Sequence, residues 1–255
     1  MGQPHLVIVD ALNLVRRMHA ALPEEPPEHF CNRVQRNLLK LQRGLKASHL
    51  MLVWDGDRNS WRKQLYPNYK AGRSPMPASL SDNLTALITH CEQHGYRSIT
   101  ADQEADDAIA SIALKILNNN VMATIVSTDK GFCQLLGSGV RLWDHFNQKP
   151  IDEDTVLLRF ELASNQLTQL WALAGDSGNK IPGVKGIGSK TAVGLLQRYG
   201  SVKAIYQHLD ELPTAQRNKL ANDKEAARIS YQLAKLKTNN QFQLRLSDFR
   251  VKDMS

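Results

Sequence analysis

An α/β protein with a mostly parallel central sheet flanked by helices is the fold this sequence predicts, on three observations. Short Val/Ile/Leu-rich runs alternate with stretches of helical periodicity, the pattern of buried parallel strands joined by helical crossovers. Three of these runs stop on an aspartate: Leu6-Val7-Ile8-Val9 at Asp10, Leu50-Met51-Leu52-Val53-Trp54 at Asp55, and Ala123-Thr124-Ile125-Val126-Ser127-Thr128 at Asp129. A further acidic cluster, Glu104-Ala105-Asp106-Asp107, opens a helical pattern between the second and third runs. Ligands of such sheets collect at the carboxyl ends of the strands, so the three aspartates are expected on one edge, facing that cluster. Each acid alone reads as a helix cap or a solvated loop residue. Together they repel one another unless a cation is present, and oxygen-only ligands select hard ions such as Mg²⁺ or Mn²⁺.

The elements follow in order. A strand at 5–9 leads into a helix through Arg16, Arg17 and Ala20; Pro23-Glu24-Glu25-Pro26-Pro27 is a loop before a helix to about Lys46 and the second strand. Residues 57–77 read as irregular, rich in Arg, Lys and aromatics. A helix from Ser79 to His94 precedes a short strand near Tyr96–Ile99. The helix opened by Glu104 carries Ile109, Ile112, Ala113 and Ile116 at core spacing and ends in Asn118-Asn119-Asn120. Asp106 falls on the stripe of Ile109 and Ala113, where a carboxylate needs a partner. A short helix, a strand near Val140–Trp143 and helices near 153–161 and 166–174 follow the third run.

The segment Ile181-Pro182-Gly183-Val184-Lys185-Gly186-Ile187-Gly188-Ser189-Lys190-Thr191 precedes an amphipathic helix. It is not a P-loop, because Ser189 separates Gly188 from Lys190 and a helical stretch precedes it. It reads instead as a helix-hairpin-helix, whose glycines and second-helix N-terminus approach a phosphate. Residues 177–203 carry Lys180, Lys185, Lys190, Arg198 and Lys203 and no acid, which favours a duplex backbone as partner. Between residues 58 and 73, Arg58, Arg62, Lys63, Lys70 and Arg73 interleave with Trp61, Tyr66 and Tyr69, the recipe for stacking and phosphate contact with a single strand.

At 255 residues and a net charge of +7, the chain has room for an ample core and a bias towards polyanionic partners. Cys31, Cys91 and Cys133 lack CxxC spacing, which predicts reduced thiols and no zinc site. The absence of a signal-like segment and of a membrane-length apolar run predicts a cytoplasmic protein without a membrane partner, expected as a monomer.

Val9-Asp10 with Leu14 and Arg17, the Asp55 strand, Tyr69-Lys70-Ala71-Gly72-Arg73, Glu104-Ala105-Asp106-Asp107, Val126-Ser127-Thr128-Asp129-Lys130, and Gly175-Asp176 before Ile181-Pro182-Gly183 occur in this order. The ordered set, from about residue 5 to residue 240, resembles the bacterial 5′-nuclease (flap endonuclease) family, which includes the 5′→3′ exonuclease domain of DNA polymerase I. The chain is too short to carry a polymerase and looks like a standalone member. The resemblance implies a PIN-like nuclease core over residues 1–160 with a basic arch at about 57–95, and a helix-hairpin-helix region with the C-terminal segment over 161–255. It implies a Mg²⁺-dependent hydrolase cutting DNA at 5′ flaps or other single-strand/duplex junctions. Asp10, Asp55, Glu104, Asp106 and Asp107 would form a first metal site, and Asp129 and Asp176 would belong to a second. Lys70 and Arg73 match the base of the arch, and Arg17 and Tyr69 join them as DNA contacts. A K⁺ ion would be held by main-chain carbonyls of Leu173, Ala174, Pro182, Val184 and Ile187, with Lys185, Gly186, Ile187, Gly188, Ser189, Lys190 and Thr191 facing DNA.

The sequence departs from the family pattern at two acids. Asp129-Lys130-Gly131 stands for Asp-Lys-Asp, and Asn179-Lys180-Ile181-Pro182-Gly183 for Asp-Asn-Ile-Pro-Gly. A second Mg²⁺ is therefore expected to be poorly held without substrate phosphate. The expected mechanism is hydrolysis by metal-activated water, with Asp10 and Asp107 in the catalytic set, Lys70 stabilising the transferring phosphate and Arg73 orienting the strand. A non-cleaving junction-binding protein would keep the hairpin and the arch and would explain the lost carboxylates. An RNA nuclease of similar sheet lacks the hairpin, and a phosphatase needs an Asp-x-Asp that Asp10-Ala11-Leu12 does not supply.

Overall fold

Every residue of His5–Asp10 is buried, as a strand covered on both faces requires. In the computed structural model, which describes residues 3–56 and 60–252, this strand (β1) lies at the centre of a six-stranded sheet. Helices α1 (Ala11–Ala21) and α2 (Pro27–Gly44) lead to β2 (His49–Trp54). Short α3 (Trp61–Leu65) and α4 (Ala78–Ser81) precede α5 (Leu84–Gln93), β3 (Arg97–Thr100), α6 (Ala105–Leu117) and β4 (Met122–Val126). A 3₁₀ segment at Lys130–Ser138 leads to β5 (Arg141–Asp144), β6 (Lys149–Ile151) and α7 (Glu153–Phe160). The remainder is helical: α8 (Leu167–Ala174), α9 (Ser189–Tyr199), α10 (Val202–Gln207), α11 (Thr214–Asn222) and α12 (Lys224–Ala234).

The strand order is β3-β2-β1-β4-β5-β6, parallel except for β6. The chain adds β2 and β3 on one side of β1, then β4 and β5 on the other, so the topological switch lies between β1 and β4. There the carboxyl ends of three adjacent strands deliver Asp10, Asp55 and Asp129, the crevice where α/β sheets bind ligands. Alternating residues serve the two faces. Leu6 and Ile8 join the core beneath α6, α8 and α9, whereas Val7 and Val9 join the core beneath α1, α2 and α5. The first of these cores runs without a break into Leu196, Leu220 and Ala227, and so welds the C-terminal helices onto the sheet.

Four elements differ from expectation. The third apolar run leaves the sheet at Val126, and Ser127 and Thr128 carry the chain to Asp129. The helix expected over Ser79–His94 is two helices, broken where the Asn83 side-chain amide donates to the Ser79 carbonyl at 2.9 Å, taking the acceptor its own backbone would use. The irregular segment contains α3, and an antiparallel edge strand, β6, is too short and proline-bearing to show a period.

Candidate active site

Asp10 ends β1 and caps α1: one oxygen accepts the Asn13 amide at 3.2 Å and the other the Ser127 hydroxyl at 2.8 Å. Asp55 accepts the Ala105 amide at 2.8 Å, which fastens the first turn of α6 to the end of β2. Asp129 caps the 3₁₀ segment through the Gly131 amide at 2.7 Å. These bonds give each strand-end aspartate a structural role of its own, Asp10 and Asp129 as caps and Asp55 as a tether of α6. Asp106 faces the same space. Burial pushes its carboxyl well above the usual range, and Asp129, Asp10 and Asp55 push it further, against the pull of Lys70. Burial likewise pushes Asp10 up to about 7, with Asp55 and Asp129 adding to it against hydrogen bonds from Ser127 and Asn13. The four carboxylates are thus one electrostatic unit.

Glu104 lies at the rim of this unit. Its Oε2 accepts from Lys70 Nζ at 2.7 Å and the Tyr69 hydroxyl at 3.2 Å. The Lys70 ammonium also reaches Asp106 at 3.8 Å. Burial lowers the Lys70 pKa, but Asp106, Tyr69 and Glu104 outweigh it and hold the ammonium charged. Burial raises Glu104, yet Lys70 and Arg62 bring it below the ordinary glutamate value.

Asp107 does not belong to this group. Its Oδ2 accepts from Trp61 Nε1 at 2.9 Å and Arg62 Nη1 at 3.0 Å; its Oδ1 accepts from Arg62 Nη2 at 2.8 Å and the Lys237 amide at 2.9 Å. Each oxygen already holds two donors, so the expected metal and catalytic role of Asp107 is withdrawn: successive helical residues point about 100° apart, and this one turns into the protein. Arg62, read from sequence as a single-strand contact, is 2 % exposed and also donates to the carbonyls of Leu233 and Lys235. Tyr69 is buried with its hydroxyl on Glu104, so the expected stacking contact with DNA is not available to it. Arg58 lies outside the described residues.

At the second acidic position Asp176 accepts from Lys130 Nζ at 2.7 Å and from Asn179 Nδ2 at 2.7 Å. Asn179, which the sequence marks only as a missing acid, is a bridging residue whose contacts sequence reasoning misses. Its Oδ1 accepts from Arg73 at 2.6 Å and its carbonyl from the Lys70 amide at 2.9 Å, so one residue ties the base of the arch to Asp176. Only an amide can do this, because an ionised carboxylate could not donate to Asp176. Lys70 itself sits at φ 54, a left-handed conformation held by that amide bond. Arg17 lies on the same edge, donating to Thr128 Oγ1 at 2.8 Å.

The hairpin turn joins α8 to α9. Gly175 and Gly183 take positive φ because their backbones touch: a Cβ on Gly183 would collide with the Gly175 nitrogen. Lys185, Gly186, Gly188, Ser189 and Lys190 are exposed, and α9 has Gly188 as its N-cap, with no side chain to cap it, leaving first-turn amides free to meet an anion. The side chains of Val184 and Ile187 are buried, so these residues offer a ligand only their main chain.

Residues 5–161 match the family model for the 5′-3′ exonuclease N-terminal resolvase-like domain, and residues 162–255 that for the 5′-3′ exonuclease C-terminal SAM fold. The chain belongs to the 5′-3′ exonuclease family. Relatives named flap endonuclease Xni include one from Shewanella baltica, 47% identical over 97% of this chain and 95% of its own. Another, from Shewanella amazonensis, is 47% identical over 96% and 98%. These are the free-standing exonuclease IX type that the motifs resemble. Among solved structures, a zinc-bound T5 5′-exonuclease superposes with TM-score 0.80 at 23% identity, covering 92% of this chain and 90% of that one. The catalytic core of Rad2 in complex with DNA substrate gives TM-score 0.60 at 17% identity, covering 91% and 79%.

Family membership implies a divalent metal, and the donor set fits one in kind. It consists of hard carboxylate oxygens under mutual repulsion, and Glu104 Oε1 is buried without a hydrogen-bond partner. Among the described residues, no three His, Cys, Asp or Glu side chains converge as a ready cage. The Lys70 ammonium lies between Glu104 and Asp106 instead. For K⁺, the hairpin offers main-chain oxygens of the right hardness. The carbonyls of Leu173 and Val184 each accept one amide, from Val184 and Ile187, which leaves each a second lone pair.

Proposed function

We propose that this chain, a structure-specific 5′-nuclease by its family, is a Mg²⁺-dependent flap endonuclease that hydrolyses DNA phosphodiesters near single-strand/duplex junctions, with Mn²⁺ able to substitute. The observation that carries this reading is the electrostatic coupling of Asp10, Asp55, Asp106 and Asp129 along one sheet edge beside Lys70. Asp10, Asp55, Glu104 and Asp106 would hold the first ion, with Asp129 and Asp176 the acids nearest a second. A bound divalent ion supplies Lewis-acid polarisation of the phosphoryl oxygens and a water of lowered pKa. Lys70, pinned through its amide to Asn179, brings its ammonium to the phosphate, and Arg73, held by the same asparagine, orients the strand. Arg17 extends the positive edge. The hairpin grips duplex backbone through Lys185, Gly186, Ile187, Gly188, Ser189, Lys190 and Thr191, around a K⁺ held by the carbonyls of Leu173, Ala174, Pro182, Val184 and Ile187.

No helix of the described residues is long and apolar enough to cross a membrane. Cys31, Cys91 and Cys133 are free and buried, which supports a reducing compartment; a cytoplasmic monomer is the expected form. The direct test is a labelled 5′-flap duplex incubated with and without Mg²⁺. Cleavage at the junction only with metal is expected. Absence of cleavage of flap, nicked and overhang substrates in both Mg²⁺ and Mn²⁺ would favour the junction-binding alternative.

Two predictions concern partners of the site. Replacing Lys185 and Lys190 together by alanine should weaken duplex binding for all sequences alike and flatten the salt dependence of log K by about two units. An unchanged slope would place both lysines off the DNA. In calorimetry, the DNA-free protein should take up one tightly bound Mg²⁺. Converting Gly131→Asp and Asn179→Asp together should add a second. A Cβ at Gly131 would lie 3.1 Å from Asp129 Oδ1, and Asn179→Asp removes the donation to Asp176, so the restored acids need an ion between them. Two equally tight ions in the parent would remove any role for these substitutions.

A further inference from the structure

Behind the catalytic pocket, on the other side of the Lys235-Leu236-Lys237 segment, lies an open groove of 1510 Å³. Trp61 of α3 forms one side, Lys203 and Tyr206 of α10 another, and Lys224 and Tyr231 of α12 a third. Leu236 lines both this groove and the catalytic pocket, so the two spaces share a wall. Lys203, Lys224, Lys235 and Lys237 are exposed, and among the described residues none has a carboxylate within ion-pair distance. The groove's own acid, Glu225, is taken by Arg228 at 2.5 Å. Three of the lysines rest on ring faces instead: Lys237 lies 3.9 Å from the Trp61 centroid, Lys224 5.7 Å from Tyr206 and Lys235 5.9 Å from Tyr231.

Ring contacts hold an ammonium in place without cancelling its charge, which leaves both the cation and the aromatic face for a ligand. A hydrophobic peptide would find four unneutralised charges in its path. A duplex would use the charges but could not insert bases between rings. A flexible polyanion with π-faces uses both. We propose that this groove is a binding site for single-stranded DNA, separate from the catalytic crevice and reached without passing through it.

Fluorescence anisotropy of a labelled oligothymidylate with the full chain, in EDTA, tests this without any cleavage. Lys224→Ala, Lys235→Ala and Lys237→Ala combined should weaken binding about tenfold or more and flatten the salt slope by about two units. Tyr231→Ala should weaken it by about fivefold or more with the slope unchanged. Binding of a blunt duplex should stay within about twofold of the parent in both variants. These side chains are exposed and pack no core, so the melting temperature should hold; should the triple variant unfold, Tyr231→Ala decides. Parent-like oligothymidylate binding in Tyr231→Ala or in a folded triple variant overturns the proposal, as does a parent that does not bind the oligonucleotide. Equal loss for oligonucleotide and duplex also overturns it, by showing a general field and no groove. Because the readout needs no metal, its failure leaves the nuclease assignment standing, and an inactive catalytic variant would leave the groove result intact.

Discussion

Asp106→Asn is expected to lower metal-dependent cleavage of a 5′-flap duplex by about two orders of magnitude or more while the protein stays folded. Asp106 faces the crevice and is pushed towards its neutral form first by burial and then by Asp129, Asp10 and Asp55. An ionised carboxylate there has only Lys70, 3.8 Å away and shared with Glu104, to set against burial and three neighbouring acids, so an amide of the same shape relieves repulsion in the metal-free protein. The same substitution removes a charged ligand from the hard-oxygen set, and the ion loses the partner that shares its charge. The two effects separate by measurement. Thermal unfolding in EDTA should show Asp106→Asn at least as stable as the parent, and added Mg²⁺ should raise the parent's midpoint more than the variant's. Full cleavage by a folded Asp106→Asn protein would remove Asp106 from the metal site.

The sheet and its acidic edge were legible in the sequence because both rest on short-range rules. Runs such as Leu6–Val9 are apolar at every position, which only a strand covered on both faces explains, and parallel pairing then puts their terminal acids together. Which of Asp106 and Asp107 faces the crevice was not legible. Ile109 and Ala113 share a stripe with Asp106, but Ile112 and Ala108 are buried too, and a helix covered nearly all round has no single inner face. The deciding partner, Arg62, is remote in sequence and sits in a basic, aromatic run that reads as solvent-facing. The signal that could have found it is Trp61-Arg62 itself, since an arginine beside aromatics is as suited to a buried ion pair as to DNA. The bridging of Asn179 is hidden for another reason: the family pattern draws attention to the acid it lacks, whereas its contacts rest on the amide it has.

Asp107→Asn, one residue along from Asp106→Asn, should act in the opposite way and strike stability first. Four donors converge on this carboxylate: Trp61 Nε1, both Arg62 Nη atoms and the Lys237 amide. Asparagine offers one acceptor oxygen and turns its own NH₂ against two of those donors, and Arg62, 2 % exposed, loses its principal counter-charge. Breaking a buried pair from one side costs about 3–5 kcal/mol, which for a chain of this size corresponds to a fall in melting temperature on the order of 10 °C. Arg62→Met should cost a similar amount, since it leaves Asp107 buried without its cation and removes the guanidinium 3.4 Å from Glu104. Arg62→Met combined with Asp107→Leu should recover much of the loss, because two apolar side chains need no partner. A double-mutant cycle by thermal unfolding checks this: a coupling energy of several kcal/mol is expected, and simple additivity of the two losses would show that the pair does not act as a unit. Cleavage by the double variant should stay below the parent even where stability returns. Glu104 and the Lys235–Lys237 backbone are positioned through Arg62 and Asp107, so restoring the packing does not restore the geometry of the carboxylate above it.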